Sequence, residues 1–177
     1  MKQPLAQQAF KVSELLAKHQ QKIVFAESCT GGLVSAVMAR IPGISDVHCG
    51  SAVVYRLGTK TEWLGVPADI LINPGPVSEL VATLMVEGVL ARTPEATLAA
   101  SITGHLGPNA PPDQDGLVYI GVKARNESAR VTEHRLPTSG QTPQYPGDTV
   151  RERRQWAAAE LVLAEVLKKL QSDALHA

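Results

Sequence analysis

The sequence predicts an α/β fold: a single three-layer domain over residues 1–177, with a central mixed β-sheet flanked by helices. Three observations carry this. Short apolar runs rich in β-branched residues alternate with segments of helical spacing, the pattern of layered α/β domains. A polar, glycine-rich turn, Ser28-Cys29-Thr30-Gly31-Gly32, joins the first such run directly to a helix. The chain has 177 residues, 44% of them apolar, with no internal repeat and no dividing linker, which suits one globular domain.

The elements follow in order. Leu5, Ala9, Val12 and Leu16 recur at helical spacing and predict an N-terminal helix. Lys22-Ile23-Val24-Phe25 reads as a buried strand. After the glycine turn, Leu33, Val34, Val37 and Met38 resume helical spacing until Pro42-Gly43 stops them. Ser51 to Tyr55 is the second strand, and Asn73-Pro74-Gly75-Pro76 is a loop by its turn chemistry. Ser78 is a good N-cap for a helix carrying Val81, Leu84, Met85 and Gly88 on one side. Leu98–Ile102, Leu117–Val122 and the weaker Ala129–Leu136 complete five strands. A charged C-terminal helix carries Ala157, Leu161, Ala164 and Leu167. Two long loops remain, Gly104–Gly116 and Pro137–Asp148, and long loops in compact domains usually carry function.

Composition excludes several classes. Formal net charge is zero, whereas a dedicated nucleic-acid binder usually shows a basic excess. Aromatic residues make up 4%, too few for base-stacking platforms. No stretch approaches the roughly 18 to 20 apolar residues that span a bilayer, and the N-terminus lacks the apolar core of a signal peptide. The expected location is the cytoplasm, with no membrane and no nucleic-acid partner. Cys29 and Cys49 are too few for a disulfide framework. With no CxxC or HExxH spacing, no metal site is expected, and no cofactor is implied. Helical faces rich in alanine and leucine suit a core or a homo-oligomer interface equally.

The turn at Ser28 is the strongest chemical feature. A side chain there lies at the carboxyl end of a strand, where open α/β sheets place ligands. The N–H groups of Thr30, Gly31 and Gly32 open a helix and suit either a phosphate or the oxyanion of acyl transfer. The plainer alternative is that Ser28 or Thr30 only caps the helix. Cys29 is a rival nucleophile, or else a small buried thiol. A serine nucleophile needs a base. None of the five histidines has a recognisable triad context, although His105 sits in the loop beginning Thr103-Gly104. A lysine with a pKa lowered by burial is the other route. Lys60 follows the second strand closely enough to fold back over the sheet end, although pattern alone favours a solvated lysine. Arg151, Arg153 and Arg154 open the last helix and could clamp a phosphate or form a solvated face. Cations at a helix N-terminus are unfavourable, which favours an anionic partner there.

Ala26-Glu27-Ser28-Cys29-Thr30-Gly31-Gly32 resembles the signature of the C-terminal domain of competence/damage-inducible protein CinA. The similarity continues through Gly50–Tyr55, Lys60, Leu64-Gly65-Val66 and Gly75–Glu79. It resumes at Thr103-Gly104, Gly107-Pro108, Gly116–Val122 and Gly147-Asp148, so it covers nearly the whole chain. Stand-alone members of that family are nicotinamide-nucleotide amidases, which convert nicotinamide mononucleotide to nicotinate mononucleotide and ammonia. The resemblance implies Ser28 as nucleophile, Lys60 as general base and Tyr55 as an organiser of the proton relay. It implies Thr30, Gly31 and Gly32 as substrate contacts, and Arg153 as an arginine facing phosphate.

This chain departs from the family pattern in three places. The loop usually reading Ser-Gly-Ile-Ala-Gly-Pro is here Thr103-Gly104-His105-Leu106-Gly107-Pro108. Gly-Asp-Arg becomes Gly147-Asp148-Thr149, with Arg151 two residues on as the candidate replacement. Tyr-Ser-Asn becomes Tyr55-Arg56-Leu57. The implied activity is an amidohydrolase acting on nicotinamide mononucleotide, with Thr103, Gly104, His105 and Arg151 as further substrate contacts. Two alternatives stand beside it: a non-catalytic nucleotide-binding module, and the same chemistry on a different amide.

Overall fold

In a computed structural model of the chain, residues 4–137 and 149–173 are described. Most of the expected Pro137–Asp148 loop, including Gly147-Asp148, lies outside them. The elements in chain order are α1 (Pro4–Lys18), β1 (Ile23–Glu27), α2 (Leu33–Met38), β2 (His48–Val53), α3 (Leu57–Leu64) and α4 (Glu79–Ala91). β3 (Leu98–Gly104), β4 (Leu117–Ala124), β5 (Arg130–Arg135) and α5 (Val150–Asp173) follow.

The five strands form one open mixed sheet in the order β2-β1-β3-β4-β5. β1 pairs in parallel with both β2 and β3, whereas β4 and β5 are antiparallel. The chain therefore leaves β1 towards one side of the sheet for β2 and later returns to its other side for β3. Such a switch opens a crevice beyond the carboxyl ends of the strands, and Ser28 is the first residue past the end of β1.

Side-chain alternation along the strands divides the core in two. Ile23, Phe25, Leu98, Ala100 and Ile102 pack against α1, α2 and α5, where the predicted stripe Leu5, Ala9, Val12 and Leu16 is fully buried. Val24, Ala26 and Ala99 face α3 and α4, meeting Leu64, Val81, Met85 and Val89. The result is the expected three layers. Ser78 caps α4 as expected, its hydroxyl accepting from the Val81 N–H at 3.3 Å.

Two local differences from the expected elements bear on the site. β2 ends at Val53 rather than Tyr55: the Val54 N–H makes a last bond to the Glu27 carbonyl of β1, and the chain turns at Arg56 into a helix. That helix, α3, was not expected. Its apolar residues (Leu57, Trp63 and Leu64) form no periodic stripe, and α3 is held by packing on α4. At Gly88 a side chain would collide with the Leu64 carbonyl, so only glycine lets α3 approach α4 this closely.

Candidate active site

The tight reversal after β1 needs two consecutive left-handed residues. Gly31 and Gly32 supply them, with φ of 64° and 96°. A carboxylate closes the turn. Glu27, the last residue of β1, is 1% exposed and accepts five hydrogen bonds. Its Oε2 receives the Thr30 hydroxyl at 2.8 Å and the N–H groups of Gly32 and Val34, both at 3.1 Å. Its Oε1 receives the Ser35 N–H and the Ser51 hydroxyl, both at 3.0 Å. The amides that open α2 are thus satisfied from within the strand. This overturns the reading of Ser28 or Thr30 as the helix cap: Gly32 is the N-cap residue, and no side chain of its own caps the helix.

Ser28 is freed for another partner. The Lys60 Nζ lies 2.7 Å from Ser28 Oγ and 2.7 Å from the Val54 carbonyl oxygen. Lys60 is 1% exposed, not the solvated lysine that pattern alone favoured. The first turn of α3 carries it inward, and burial lowers its pKa from the usual 10.5 to about 8. Cys29 also lines the pocket, but its thiol is buried and burial pushes it up to about 12. A thiol held in that form is a poor nucleophile near neutral pH.

Ser28, Cys29, Tyr55, Lys60, Thr103, Gly104, His105 and Arg151 all line one pocket of about 290 Å³. Among the described residues no Asp or Glu lines it, and its charged side chains are those of Lys60 and Arg151. Across the mouth, the Arg151 guanidinium donates to the Gly107 carbonyl and to the Tyr55 hydroxyl, each at 2.6 Å. Arg151 thereby ties α5 to both the 104–116 loop and the β2–α3 connection. The Tyr55 side chain is half exposed, and its hydroxyl has no bond to Ser28 or Lys60 among the described residues. Thr103 is buried, its hydroxyl donating to the Pro76 carbonyl at 2.7 Å.

Four expected contacts are not on the pocket wall. The Thr30 hydroxyl and the Gly32 N–H belong to Glu27, and the Gly31 N–H donates to the Ser28 carbonyl. Arg153 begins α5 with its backbone N–H on Thr149, and its residue does not line the pocket. Arg154 is buried rather than part of a solvated face. It makes a two-pronged pair with Asp115, both contacts at 2.8 Å, and donates to the Leu106 and Pro137 carbonyls. It anchors the 104–116 loop that forms one pocket wall. Sequence reasoning missed Glu27. The available signal was an ionisable residue closing a run of buried apolar ones, immediately before a glycine turn.

Among the described residues, no helix is long and apolar enough to cross a membrane. No group of three His, Cys, Asp or Glu residues among them could hold a metal ion.

The family model for the CinA C-terminal domain matches residues 5–163. The chain is similar to a CinA-like protein of Myxococcus xanthus, 40% identical over 131 residues, covering 70% of this chain and 31% of that protein. It is also similar to a CinA-like protein of a Mycobacterium species, 38% identical over 154 residues, covering 86% of this chain and 34% of that protein. It therefore spans about a third of the length of these curated relatives. Among solved structures, the competence/damage inducible protein CihA of Agrobacterium tumefaciens superposes with a TM-score of 0.83 at 30% identity. That match covers 95% of this chain and 96% of the other. A CinA-superfamily protein of Klebsiella pneumoniae shares the fold at a TM-score of 0.84 and 22% identity, covering 95% and 98%. By extent of match, the chain belongs to the CinA C-terminal domain family.

Proposed function

We propose that the chain is an amidohydrolase that converts nicotinamide mononucleotide to nicotinate mononucleotide and ammonia, with Ser28 as nucleophile and Lys60 as base. The observation that carries this reading is the buried contact of Lys60 Nζ with Ser28 Oγ at 2.7 Å, together with the lowered lysine pKa of about 8. A neutral lysine has two N–H groups and one lone pair. With one N–H on the Val54 carbonyl, the lone pair is available to the Ser28 hydroxyl proton.

The steps follow from that geometry. Lys60 takes the proton as Ser28 Oγ attacks the carboxamide carbon. The negative charge that develops on the carbonyl oxygen needs backbone donors. The expected donors at Gly31 and Gly32 are occupied, whereas among the described residues the Cys29 N–H meets only its own thiol and nothing accepts from the Thr30 N–H. We assign the oxyanion to these two. Collapse of the intermediate passes the Lys60 proton to the leaving nitrogen, and ammonia departs. Water, deprotonated by Lys60, then attacks the acyl-enzyme and releases the carboxylate product with Ser28 restored.

An anionic substrate is supported by a pocket that carries Arg151 and, among the described residues, no carboxylate. Arg151 stands at the mouth as the candidate phosphate ligand, replacing the arginine absent at Thr149. Tyr55, bonded to Arg151 rather than Lys60, is assigned to orienting that arginine instead of relaying the proton. The test is product analysis: incubation with nicotinamide mononucleotide yields ammonia and nicotinate mononucleotide in equal amounts. Calorimetric binding of the nucleotide with no ammonia release would overturn the reading in favour of a non-catalytic module. Ammonia release from other amides alone would reassign the substrate, and His105 on the pocket wall would then be the first residue to examine.

A further inference from the structure

We propose that Glu27 is the positioning residue of this site, the group that holds the Ser28–Gly32 turn in its reactive shape. The inference rests on Ser28 acting as an acyl-accepting nucleophile. Ser28 and the N–H groups of Cys29 and Thr30 are all parts of a single turn, and that turn encloses one carboxylate. All five neighbours of Glu27 donate to it, and they come from the turn itself (Thr30, Gly32), from α2 (Val34, Ser35) and from β2 (Ser51). The carboxylate also takes the amides that would otherwise offer α2's N-terminus to a substrate. Donors left for the substrate are then restricted to the residues beside the nucleophile. Two backbone bonds complete the frame, Ser28 N–H to the Ile102 carbonyl at 3.1 Å and Gly31 N–H to the Ser28 carbonyl at 3.1 Å.

A buried acceptor surrounded by five donors tolerates little change. In Glu27→Gln one oxygen becomes an NH2 group that faces donors, so at least one backbone N–H loses its acceptor and a hydroxyl bond must reverse. The turn relaxes, and Ser28 Oγ and the two N–H groups lose their shared alignment. Glu27 touches no reacting atom. Its loss is expected to lower the rate of acylation, while the pH at which Lys60 gives up its proton stays where it was.

The test uses acylation of Ser28 by p-nitrophenyl acetate, which does not depend on the natural substrate. In that step the Oγ–acetyl bond forms, the ester bond breaks, nitrophenolate leaves and the serine proton passes to Lys60. Acylation is read by nitrophenolate absorbance and by the mass of the Ser28 peptide, normalised to the folded fraction from circular dichroism. Glu27→Gln is expected to acylate about 100-fold more slowly, by analogy with removal of an oxyanion donor. Thr30→Val, which keeps the shape and removes one of the five bonds, is expected to lose about 10-fold with an unchanged pH midpoint. Glu27→Asp is expected to recover part of the rate. Folded Thr30→Val and Glu27→Gln that acylate at the wild-type rate would overturn the positioning role and leave the nucleophile intact. Wild-type protein that takes no acetyl group at Ser28 would overturn the nucleophile and this inference together.

Discussion

Lys60 Nζ stands 2.7 Å from Ser28 Oγ across 32 residues of sequence, at the carboxyl end of β1, between the two parallel neighbours β2 and β3. Two unrelated local structures meet there. One is a glycine turn closed by Glu27. The other is an unpredicted helix that delivers a lysine into the core.

The lowered pKa of Lys60 sets the pH dependence of activity. Only the neutral amine can accept the Ser28 proton, so kcat/KM for the amide is expected to rise about tenfold per pH unit below about 8 and then level off. A series from about pH 6 to 10 measures this. Lys60→Arg, which stays charged, is expected to be inactive across the range. A flat wild-type profile through pH 8 would exclude Lys60 as base.

The same group links stability to pH. The folded pKa of about 8 is below the unfolded value of 10.5, so between them the unfolded chain holds a proton that the folded chain has released. Stability must therefore rise with pH across that window and be lost again as pH falls through 8. Relative to Lys60→Met, which lacks the group, the wild type is expected to gain on the order of 3 kcal/mol between pH 8 and 10.5. Urea denaturation of both proteins at several pH values reads the difference. A constant gap would contradict the burial of an ionisable amine.

Arg151 and Tyr55 are expected to act as one unit, since the tyrosine hydroxyl accepts the arginine's hydrogen bond at 2.6 Å. Arg151→Met is expected to raise KM for a phosphorylated amide roughly 10- to 100-fold, with kcat changed only a few-fold. Tyr55→Phe is expected to produce a smaller rise in KM, and the double variant a loss smaller than the product of the two. Independent, multiplying effects would show that Tyr55 acts elsewhere, for instance on Lys60.

Alkylation separates the two adjacent nucleophile candidates. The thiol of Cys29 is buried and pushed up to about 12, whereas Cys49 is only half buried. Iodoacetamide near pH 8 is expected to label Cys49, spare Cys29 and leave turnover intact. Rapid labelling of Cys29 with matching loss of activity would return that residue to candidacy.

The fold was largely legible because strand and helix periodicities report burial directly. The stripe Leu5, Ala9, Val12 and Leu16 and the run Ile23 to Phe25 lie where their spacing put them. The site was legible only in part. Ser28 was marked by its glycine turn, yet pattern alone favoured capping, because a cap supplied by the preceding strand leaves no local spacing signal. Lys60 lies in a helix without an apolar stripe, and that helix packs on α4 where Gly88, 24 residues on from Leu64, leaves room for the Leu64 carbonyl. Arg154 and Asp115 pair across 39 residues, which no local window contains. Where a side chain's role depends on a partner far along the chain, only the folded geometry displays it.

The most direct measurement of the central claim is ammonia release from nicotinamide mononucleotide by wild-type protein and Ser28→Ala, compared at pH 9 where Lys60 is neutral. Ser28→Ala keeps the pocket and Lys60 but has no oxygen to attack with. Its turnover is expected to fall by at least about 1000-fold. Turnover by Ser28→Ala equal to the wild type would contradict the account.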